Sequence, residues 1–325
     1  MFTLDELRRA QAVVRSVLPP TAAIAWPLLT RRLGVAAAVV KHENHNPTGA
    51  FKVRGGLTFV EALKQRAPKA KGLVSATRGN HGQSLAFAGA RAGLKVRICA
   101  PSGNSAEKNA AMRALGAELI EHGDDFQAAR EEAQRLAVAE GLEMVPSFHR
   151  DLALGVATYA LELFEARADL DVLYVPIGQG SGICGCIAAR DALKLKTEIV
   201  GVQAAAAPSY ALSFAAGHAV TTETADTLAD GLATRVPDDE ALTIIRRGAE
   251  RVVVVDDEEI GGAIRAYWTD AHNLAEGAGA APLAAATKER ARLGGRRVGL
   301  VLSGGNIDFA LFQRWVGASR LAAAE

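Results

Sequence analysis

Short apolar segments alternate with helical segments along most of the chain, and this alternation limits the possible folds more than any other feature of the sequence. Nearly every apolar segment is followed by a stretch with helical character. Such alternation is typical of a parallel β-sheet that carries helices on both faces. The apolar segments are residues 35–40, 72–76, 95–99, 118–121, 143–145, 171–175, 198–202, 251–255 and 297–302.

The strand–helix pattern completes one series and then restarts, which predicts two domains. The chain has 325 residues, and this length is sufficient for two α/β domains. We expect two parallel-sheet, three-layer domains, with the smaller inserted in the larger. The small domain would span residues 51–148, and the large domain would comprise residues 1–50 and 149–325.

Composition and charge exclude several classes of partner. The formal net charge of +1 gives no electrostatic reason to expect a nucleic acid or a membrane surface. The sequence contains no apolar run long enough to span a bilayer, and its first residues lack the apolar core of a signal peptide. The cysteines include no CxxC pair and no metal-ligand spacing. We therefore expect a cytoplasmic globular protein.

Lys52 occupies an unusual position for a lysine, because it falls at the predicted start of a helix. The segment 35–40 reads as a strand, the residues NPTG at 46–49 form a sharp loop, and a helical pattern opens near Phe51. The partial positive charge of a helix N-terminus disfavours an ammonium group and lowers its pKa. A neutral amine is what Schiff-base chemistry with an aldehyde requires. The alternative is a solvated lysine without a chemical role.

Four glycine-bearing loops, at 48–52, 77–83, 177–182 and 303–306, follow predicted strands. Ligands of open parallel sheets bind beyond the carboxyl ends of the strands. The segment GQGSG at 178–182 opens a helix and predicts a phosphate site. Residues 180–185 also fit GxGxxG, but a dinucleotide site would have an acidic residue near Gln203 and none is present there. Tight packing of strand against helix is a further explanation for these glycines.

Five ordered motifs resemble those of fold-type II pyridoxal-phosphate enzymes. The resemblance is to the threonine/serine dehydratase and serine racemase branch, and it covers nearly the whole chain. It implies a tryptophan synthase β-like fold with the cofactor, pyridoxal 5′-phosphate, in the cleft between the domains. The segment DTLADGL at 226–232 resembles the same branch. The five motifs are GAFKVRG at 49–55, RGNHGQ at 78–83, GQGSG at 178–182, EGAGA at 276–280 and LSGGN at 302–306.

The resemblance assigns a role to each matching position. Lys52 would be the catalytic Schiff-base lysine that carries the Cα proton, and Phe51 would pack beside the cofactor ring. Asn80 would bond the 3′ oxygen, and Ser303 would face the pyridine nitrogen. The phosphate would be held by Gly178, Gln179, Gly180, Ser181 and Gly182. The substrate carboxylate would bind at the turn that contains Thr77, Arg78, Gly79 and His81.

The sequence departs from the family at several of these positions. Arg78 stands where a racemase would have its second acid/base serine, which disfavours racemisation. Gln203, Ala207 and Ser209 fall where relatives place ligands of a divalent cation, so we expect no metal site there. The segment GVAT at 155–158 replaces the usual GQGT, and Ala50 replaces a serine. The usual substrate pocket is therefore in doubt.

These features lead to the hypothesis of a pyridoxal-phosphate ammonia-lyase that converts a β-hydroxy-α-amino acid into a 2-oxo acid and ammonia. Threonine or serine is the default substrate, and phenylserine or 3-hydroxyaspartate is an alternative. Other possibilities are a β-replacement synthase, an amino-acid racemase and a cofactor-binding protein without turnover. We expect a small-molecule amino acid as the partner and a homodimer as the assembly.

Overall fold

The computed structural model describes residues 1–317, and these residues form two separate β-sheets surrounded by helices. The strands are β1 (Ala23–Ala25), β2 (Ala37–His42), β3 (Gly72–Ala76), β4 (Lys95–Ala100), β5 (Glu118–Glu121), β6 (Glu143–Met144), β7 (Val172–Pro176), β8 (Glu198–Ala204), β9 (Arg251–Val255) and β10 (Arg297–Leu302). The α-helices are α1 (Leu4–Arg15), α2 (Pro27–Leu33), α3 (Lys52–Arg66), α4 (Asn80–Arg91), α5 (Ala106–Ala114), α6 (Phe126–Glu140), α7 (Arg150–Ala166), α8 (Ser181–Ala192), α9 (Ser209–Ala216), α10 (Asp239–Gly248), α11 (Asp257–Ala271), α12 (Gly277–Lys288) and α13 (Phe309–Gly317).

The larger sheet has the strand order β1-β2-β10-β7-β8-β9, and the smaller sheet has the order β5-β4-β3-β6. Neighbouring strands are parallel except at one edge, where β1 runs antiparallel to β2. The predicted α/β class with two parallel sheets is confirmed. The antiparallel strand β1 was not predicted, because three residues are too few to show a period.

The strands of the smaller sheet all lie between Gly72 and Met144 in the chain, and the larger sheet is built from segments on both sides of them. This arrangement has the form of an insertion. The proposed boundaries of the two domains, at residues 51 and 149, remain a prediction. No helix within residues 1–317 is long and apolar enough to cross a membrane.

Each face of the larger sheet is covered by its own apolar cluster, because successive residues of a strand point to opposite faces. Val40 and Leu300 pack with residues of α11 and α12, whereas Val39 and Val301 pack with residues of α1, α7 and α8. The smaller sheet is also covered on both faces, by α3 and α4 on one side and by α6 on the other. Each sheet is therefore the middle of three layers, as predicted.

Four buried charged side chains connect α3 to the larger sheet and to α7. They are Lys41 on β2, Glu43 just after β2, Arg54 on α3 and Glu162 on α7. Arg54 lies at the centre of this cluster and forms ion pairs with both carboxylates. Because α3 begins at Lys52, the cluster fixes the helix that carries the candidate catalytic lysine.

Candidate active site

The candidate site lies where loops of the two sheets meet. The strands β2, β10 and β7 are neighbours in the larger sheet, so the loops that follow them lie at the same edge. The backbone N–H of Phe51 donates to the carbonyl of Ser303 at 3.0 Å, which joins the loops after β2 and β10. From the smaller sheet, Asn80 reaches the same place and accepts a hydrogen bond from Asn306 at 2.8 Å.

Lys52 is the first residue of α3, with Phe51 as its N-cap residue. Its Nζ lies 3.4 Å from the hydroxyl oxygen of Ser181 at the start of α8. Burial lowers the pKa of Lys52 to about 8, and the carboxylate of Glu276 acts in the opposite direction. A lysine with this pKa has a substantial neutral fraction near physiological pH, which is the state needed for a nucleophile or a base.

The glycine loop after β7 contains glycines of two kinds. Gly180 has a φ of +97° and is the N-cap residue of α8, and a Cβ atom there would lie 2.7 Å from the Cβ of Ala241. A Cβ atom on Gly178 would collide with the carbonyl oxygen of Gly231. Packing alone therefore requires these two glycines. Gly182 differs, because its nearest neighbour would be the hydroxyl of Tyr159 at 3.5 Å.

Gly182 lies in the first turn of α8, at a helix N-terminus with free donors. The first N–H groups of α8 have no acceptor inside the helix, and the helix dipole favours an anion at this end. Ser181 adds a hydroxyl, and Lys52 adds an amine. The side chain of Phe51 borders the same space, since its Cζ would lie 3.8 Å from a Cβ atom on Gly182. Gln179 contributes to the loop's geometry through its carbonyl, which accepts the Tyr210 hydroxyl at 3.2 Å.

The turn before α4 contains the residues predicted to bind the substrate carboxylate. The hydroxyl oxygen of Thr77 accepts the N–H of Gly79 at 3.3 Å. His81 is buried, and its Nε2 atom has no hydrogen-bond partner among residues 1–317. Burial lowers the pKa of His81 to about 3, so the imidazole is neutral. Arg78 is exposed, in contrast to its neighbours in the turn.

Two further residues of the site were not predicted from the sequence, although both lie in the quoted motifs. Glu276 precedes α12 and is buried, and its carboxylate oxygens accept hydrogen bonds from Nδ2 of Asn80 at 2.8 and 3.0 Å. Asn306 donates to the Oδ1 atom of Asn80. A carboxylate within the otherwise apolar segment EGAGA was the signal that could have identified Glu276.

A polar cavity of about 180 Å³ adjoins this group of residues. Lys108 and Asp230 form an ion pair at its wall, and the stem of Lys108 lies over Gly79, with its Cδ 2.9 Å from where a Cβ atom would be. A separate, larger cavity lies at residues 67–70 and 141–143, away from these loops. The wall of the smaller cavity includes Arg78, Lys108, Asp230, Glu276, Asn306 and Asp308.

The positions where relatives would hold a divalent cation are occupied by neutral side chains with local partners. The Oε1 atom of Gln203 accepts the N–H of Ala211 at 2.9 Å. The hydroxyl of Ser209 donates to the carbonyl of Thr234 at 2.7 Å. In the part of the chain that the structure describes, no cluster of three or more His, Cys, Asp or Glu side chains is arranged to hold a metal ion.

Comparisons with known proteins agree with this geometry. Residues 14–304 match the family model described as pyridoxal-phosphate dependent enzyme. The chain is 33% identical to L-threonine ammonia-lyase of Thermotoga maritima over 97% of this chain and 78% of that protein. The structure is similar to the processed form of threonine deaminase isoform 2 from Solanum lycopersicum, with a TM-score of 0.89, 27% identity and coverage of 97% of this chain and 89% of that one. It is also similar to maize serine racemase, with a TM-score of 0.90, 27% identity and 96% coverage of each chain.

The residues present fit pyridoxal 5′-phosphate, the cofactor of such enzymes. The aldehyde of the cofactor forms a Schiff base with an amine, and the Nζ atom of Lys52 lies 3.4 Å from the Ser181 hydroxyl in the glycine loop. A phosphate dianion needs N–H and O–H donors, and the start of α8 offers both through its free backbone N–H groups and the Ser181 hydroxyl. Ser303 is buried beside the backbone of Phe51, so a neutral hydroxyl is available at the same site.

Proposed function

Because the chain belongs to the family of pyridoxal-phosphate dependent enzymes, we propose that it is an ammonia-lyase that acts on a β-hydroxy-α-amino acid. The α,β-elimination of water would give an enamine, and hydrolysis of its imine tautomer would then release the 2-oxo acid and ammonia. The observation that carries this proposal is the position of Lys52. Its amine is buried, has a pKa lowered to about 8, and lies beside Ser181 in the glycine loop at the start of α8. The similarity to an L-threonine ammonia-lyase supports the same reaction.

Pyridoxal 5′-phosphate, when bound, supplies an aldehyde for an amine and a ring that accepts the negative charge developing at the substrate Cα. Lys52 would hold the cofactor and then, as a free amine, remove the proton from Cα. The loop from Gly178 to Gly182, including Gln179, Gly180 and Ser181, would bind the phosphate. Ser303 would face the ring nitrogen with a neutral hydroxyl, and Phe51 would pack beside the ring.

The turn formed by Thr77, Arg78, Gly79 and His81 would bind the substrate carboxylate through the N–H groups at the start of α4. This assignment follows from the favourable interaction between an anion and a helix N-terminus. The neutral state of His81 is consistent with a structural role or with hydrogen bonding to the substrate. Asn80 would bind the 3′ oxygen of the cofactor.

Threonine or serine is the default substrate, and one observation favours a second candidate. Arg78 lines the polar cavity, and its guanidinium forms no ion pair with any of residues 1–317. Among the carboxylates at the same cavity, Asp230 forms an ion pair with Lys108, whereas Asp308 and Glu276 accept hydrogen bonds from the neutral groups of Ser105 and Asn80. Because the Arg78 guanidinium has no such partner, it could pair with the second carboxylate of a substrate such as 3-hydroxyaspartate, a group that phenylserine lacks.

We also propose a homodimer in the cytoplasm. Large apolar side chains such as Trp268 and Phe309 are 48% and 62% exposed, which is consistent with a surface that another copy covers. The three free cysteines are all buried and suit a reducing compartment. Light scattering coupled to size-exclusion chromatography measures the assembly directly, and a monomeric mass would contradict the dimer.

The function is tested by measuring ammonia and 2-oxo acid from a panel of 3-hydroxy amino acids. The panel contains L-threonine, L-serine, L-threo-phenylserine and threo-3-hydroxyaspartate, and the Lys52→Ala variant serves as the control. We expect both products in equal amounts from at least one substrate and far less of both from the variant. Turnover that required an added thiol would indicate β-replacement, and cofactor binding without turnover would contradict the enzyme assignment.

A further inference from the structure

Glu276 is a buried carboxylate for which the proposed reaction has no role. It is 4% exposed, and within residues 1–317 no lysine or arginine forms an ion pair with it. Its side-chain hydrogen bonds come from the neutral amide of Asn80. Removing an ionised carboxylate from water without pairing it to a cation costs on the order of several kcal/mol of desolvation free energy. Glutamine has nearly the same size and lacks this cost, so a purely structural role does not explain the acid.

A directed chain of hydrogen bonds ends at this carboxylate. The Nδ2 atom of Asn306 donates to the carbonyl of Thr48 at 2.8 Å and to Oδ1 of Asn80 at 2.8 Å. The backbone carbonyl can only accept, so it fixes the orientation of the Asn306 amide. The Asn306 amide then fixes that of Asn80, whose Nδ2 atom must face Glu276. The orientation of Asn80 is thus determined from both ends.

Two glycines provide the space for this chain. A Cβ atom on Gly49 would collide with the side chain of Asn306, and a Cβ atom on Gly304 would lie 2.6 Å from Oε1 of Glu276. Gly304 directly follows Ser303, the residue expected to face the cofactor ring. The carboxylate therefore packs against the backbone of the site, and a larger residue at either glycine would displace the chain.

The charged groups that face Glu276 come from three elements. Lys108 on α5 lowers the pKa of Glu276, and Asp230 on the 3-10 helix at Asp230–Leu232 raises it. These two residues form an ion pair with each other. Lys52 on α3 is the third, since the carboxylate raises the pKa of that amine. Burial has the largest effect and raises the pKa of Glu276 to about 7. Glu276 can therefore gain and lose a proton in the physiological range.

We propose that Glu276 is a positioning residue that acts on the cofactor through Asn80. The Nδ2 atom of Asn80 carries two hydrogens. One is donated to the ionised carboxylate of Glu276, where the two oxygens share it, and the other stays available for the 3′ oxygen of pyridoxal 5′-phosphate. This inference rests on the proposed role of Asn80. Hydrogen bonds to an ionised acceptor are roughly twice as strong as neutral ones. Protonation of Glu276 weakens its hydrogen bond with Asn80. The hydrogen bond from Asn80 to the 3′ oxygen then changes, and with it the charge distribution of the bound cofactor.

The test is a pH titration of the absorption spectrum of the protein with pyridoxal 5′-phosphate bound. In the wild type, the cofactor band should change in a transition centred near pH 7, where Glu276 titrates. Glu276→Gln keeps the shape and one acceptor but cannot ionise, so the transition should disappear. Glu276→Asp keeps an ionisable group and should move the midpoint without removing the transition. Glu289→Gln, at the part-buried carboxylate that caps the opposite end of α12 and pairs with Arg251, is the matched control and should leave the transition unchanged.

Transmission through Asn80 is tested by a double-mutant cycle. Asn80→Ala alone should remove the transition, and adding Glu276→Gln to it should cause no further spectral change. A transition that persists in Glu276→Gln would overturn the proposal, and so would a further change in the double variant, because Glu276 would then act directly. A wild-type protein whose cofactor is not attached to Lys52 would overturn the proposed function as well. A cofactor correctly attached to Lys52 but without the transition would overturn this inference alone.

Discussion

Arg54 and Glu162 form a two-bond ion pair that is buried between α3 and α7. The Nη1 and Nη2 atoms of Arg54 donate to the two carboxylate oxygens of Glu162 at 3.0 and 2.9 Å. The same guanidinium donates from Nε to Glu43 at 2.7 Å. Burial alone would raise the pKa of Glu43, but the charges of Arg54 and Lys41 hold it below its ordinary value. Arg54 thus joins two buried carboxylates from different elements, and α3 is fixed two residues after Lys52.

Replacing Arg54 with methionine should strongly destabilise the protein. The change leaves two buried carboxylates with Lys41 and, at 4.0 Å from Glu162, Arg15 as the remaining cations, and breaking a buried pair in this way costs about 3–5 kcal/mol of unfolding free energy. Urea denaturation measures this loss. Arg135→Met, which breaks the exposed pair with Glu132, is the control and should change stability little. Equal effects of the two substitutions would contradict the role of the buried cluster.

Lys52 should carry the cofactor. The purified protein should show a visible absorption band of lysine-bound pyridoxal 5′-phosphate, and reduction with borohydride should fix the pyridoxyl group on Lys52, as detected by peptide mass spectrometry. Lys52→Ala should lower the turnover by about 10²–10⁴-fold, as expected for loss of a proton-transfer group. A label on Lys64 or Lys95 would show that the site is misassigned.

Gly182 and Gly178 should respond differently to substitution by alanine. Gly178→Ala places a Cβ atom against the carbonyl of Gly231 and should lower the thermal stability of the protein without cofactor. Gly182→Ala meets no atom closer than 3.5 Å, so that stability should change little. Its methyl group would contact Phe51 and the Tyr159 hydroxyl beside the expected phosphate site, and it should weaken cofactor binding, measured by fluorescence titration. Unchanged affinity in Gly182→Ala would favour packing as the only role of this loop.

The activity should not require divalent cations. Gln203 and Ser209 already use their side chains in hydrogen bonds to Ala211 and Thr234, and neither supplies the charge that a hard cation needs. Exhaustive treatment with EDTA should therefore leave turnover and melting temperature unchanged. The double variant Gln203→Glu with Ser209→Asp should instead be stabilised by magnesium or calcium. Loss of wild-type activity in EDTA, with recovery in magnesium, would reveal ligands elsewhere.

Elimination should be much faster than inversion at Cα. By the resemblance, Arg78 would stand where a racemase reprotonates the face opposite Lys52, and a guanidinium remains charged and exchanges protons poorly. Chiral chromatography after incubation with L-serine, L-threonine or L-threo-phenylserine should show 2-oxo acid and little epimer. Arg78→Ser introduces a hydroxyl and should increase the proportion of epimer. Wild-type epimer that accumulates faster than oxo acid would mean that a racemase is the correct assignment.

Much of the site could be predicted from the sequence because its residues lie in local motifs. The order of the motifs, the start of α3 at Lys52 and the glycine loop after β7 each depend on a few consecutive residues. The parallel class follows from the alternation of strands and helices, since a parallel connection needs a crossover element. The structure confirms the class, and its hydrogen bonds join Lys52 to Ser181, Asn80 to Asn306 and the backbone of Phe51 to Ser303.

The partners of these residues were decided by tertiary structure. Glu276 follows Asn80 by 196 positions, and Arg54 precedes Glu162 by 108, so no local pattern connects them. Strand β1 is too short to show a period, and its antiparallel direction comes from its pairing with β2. Whether a charged side chain is buried beside a partner depends on the strand order and on how helices cover the sheets. The local sequence therefore specified which groups could perform the chemistry, whereas the long-range packing determined their ionisation and orientation.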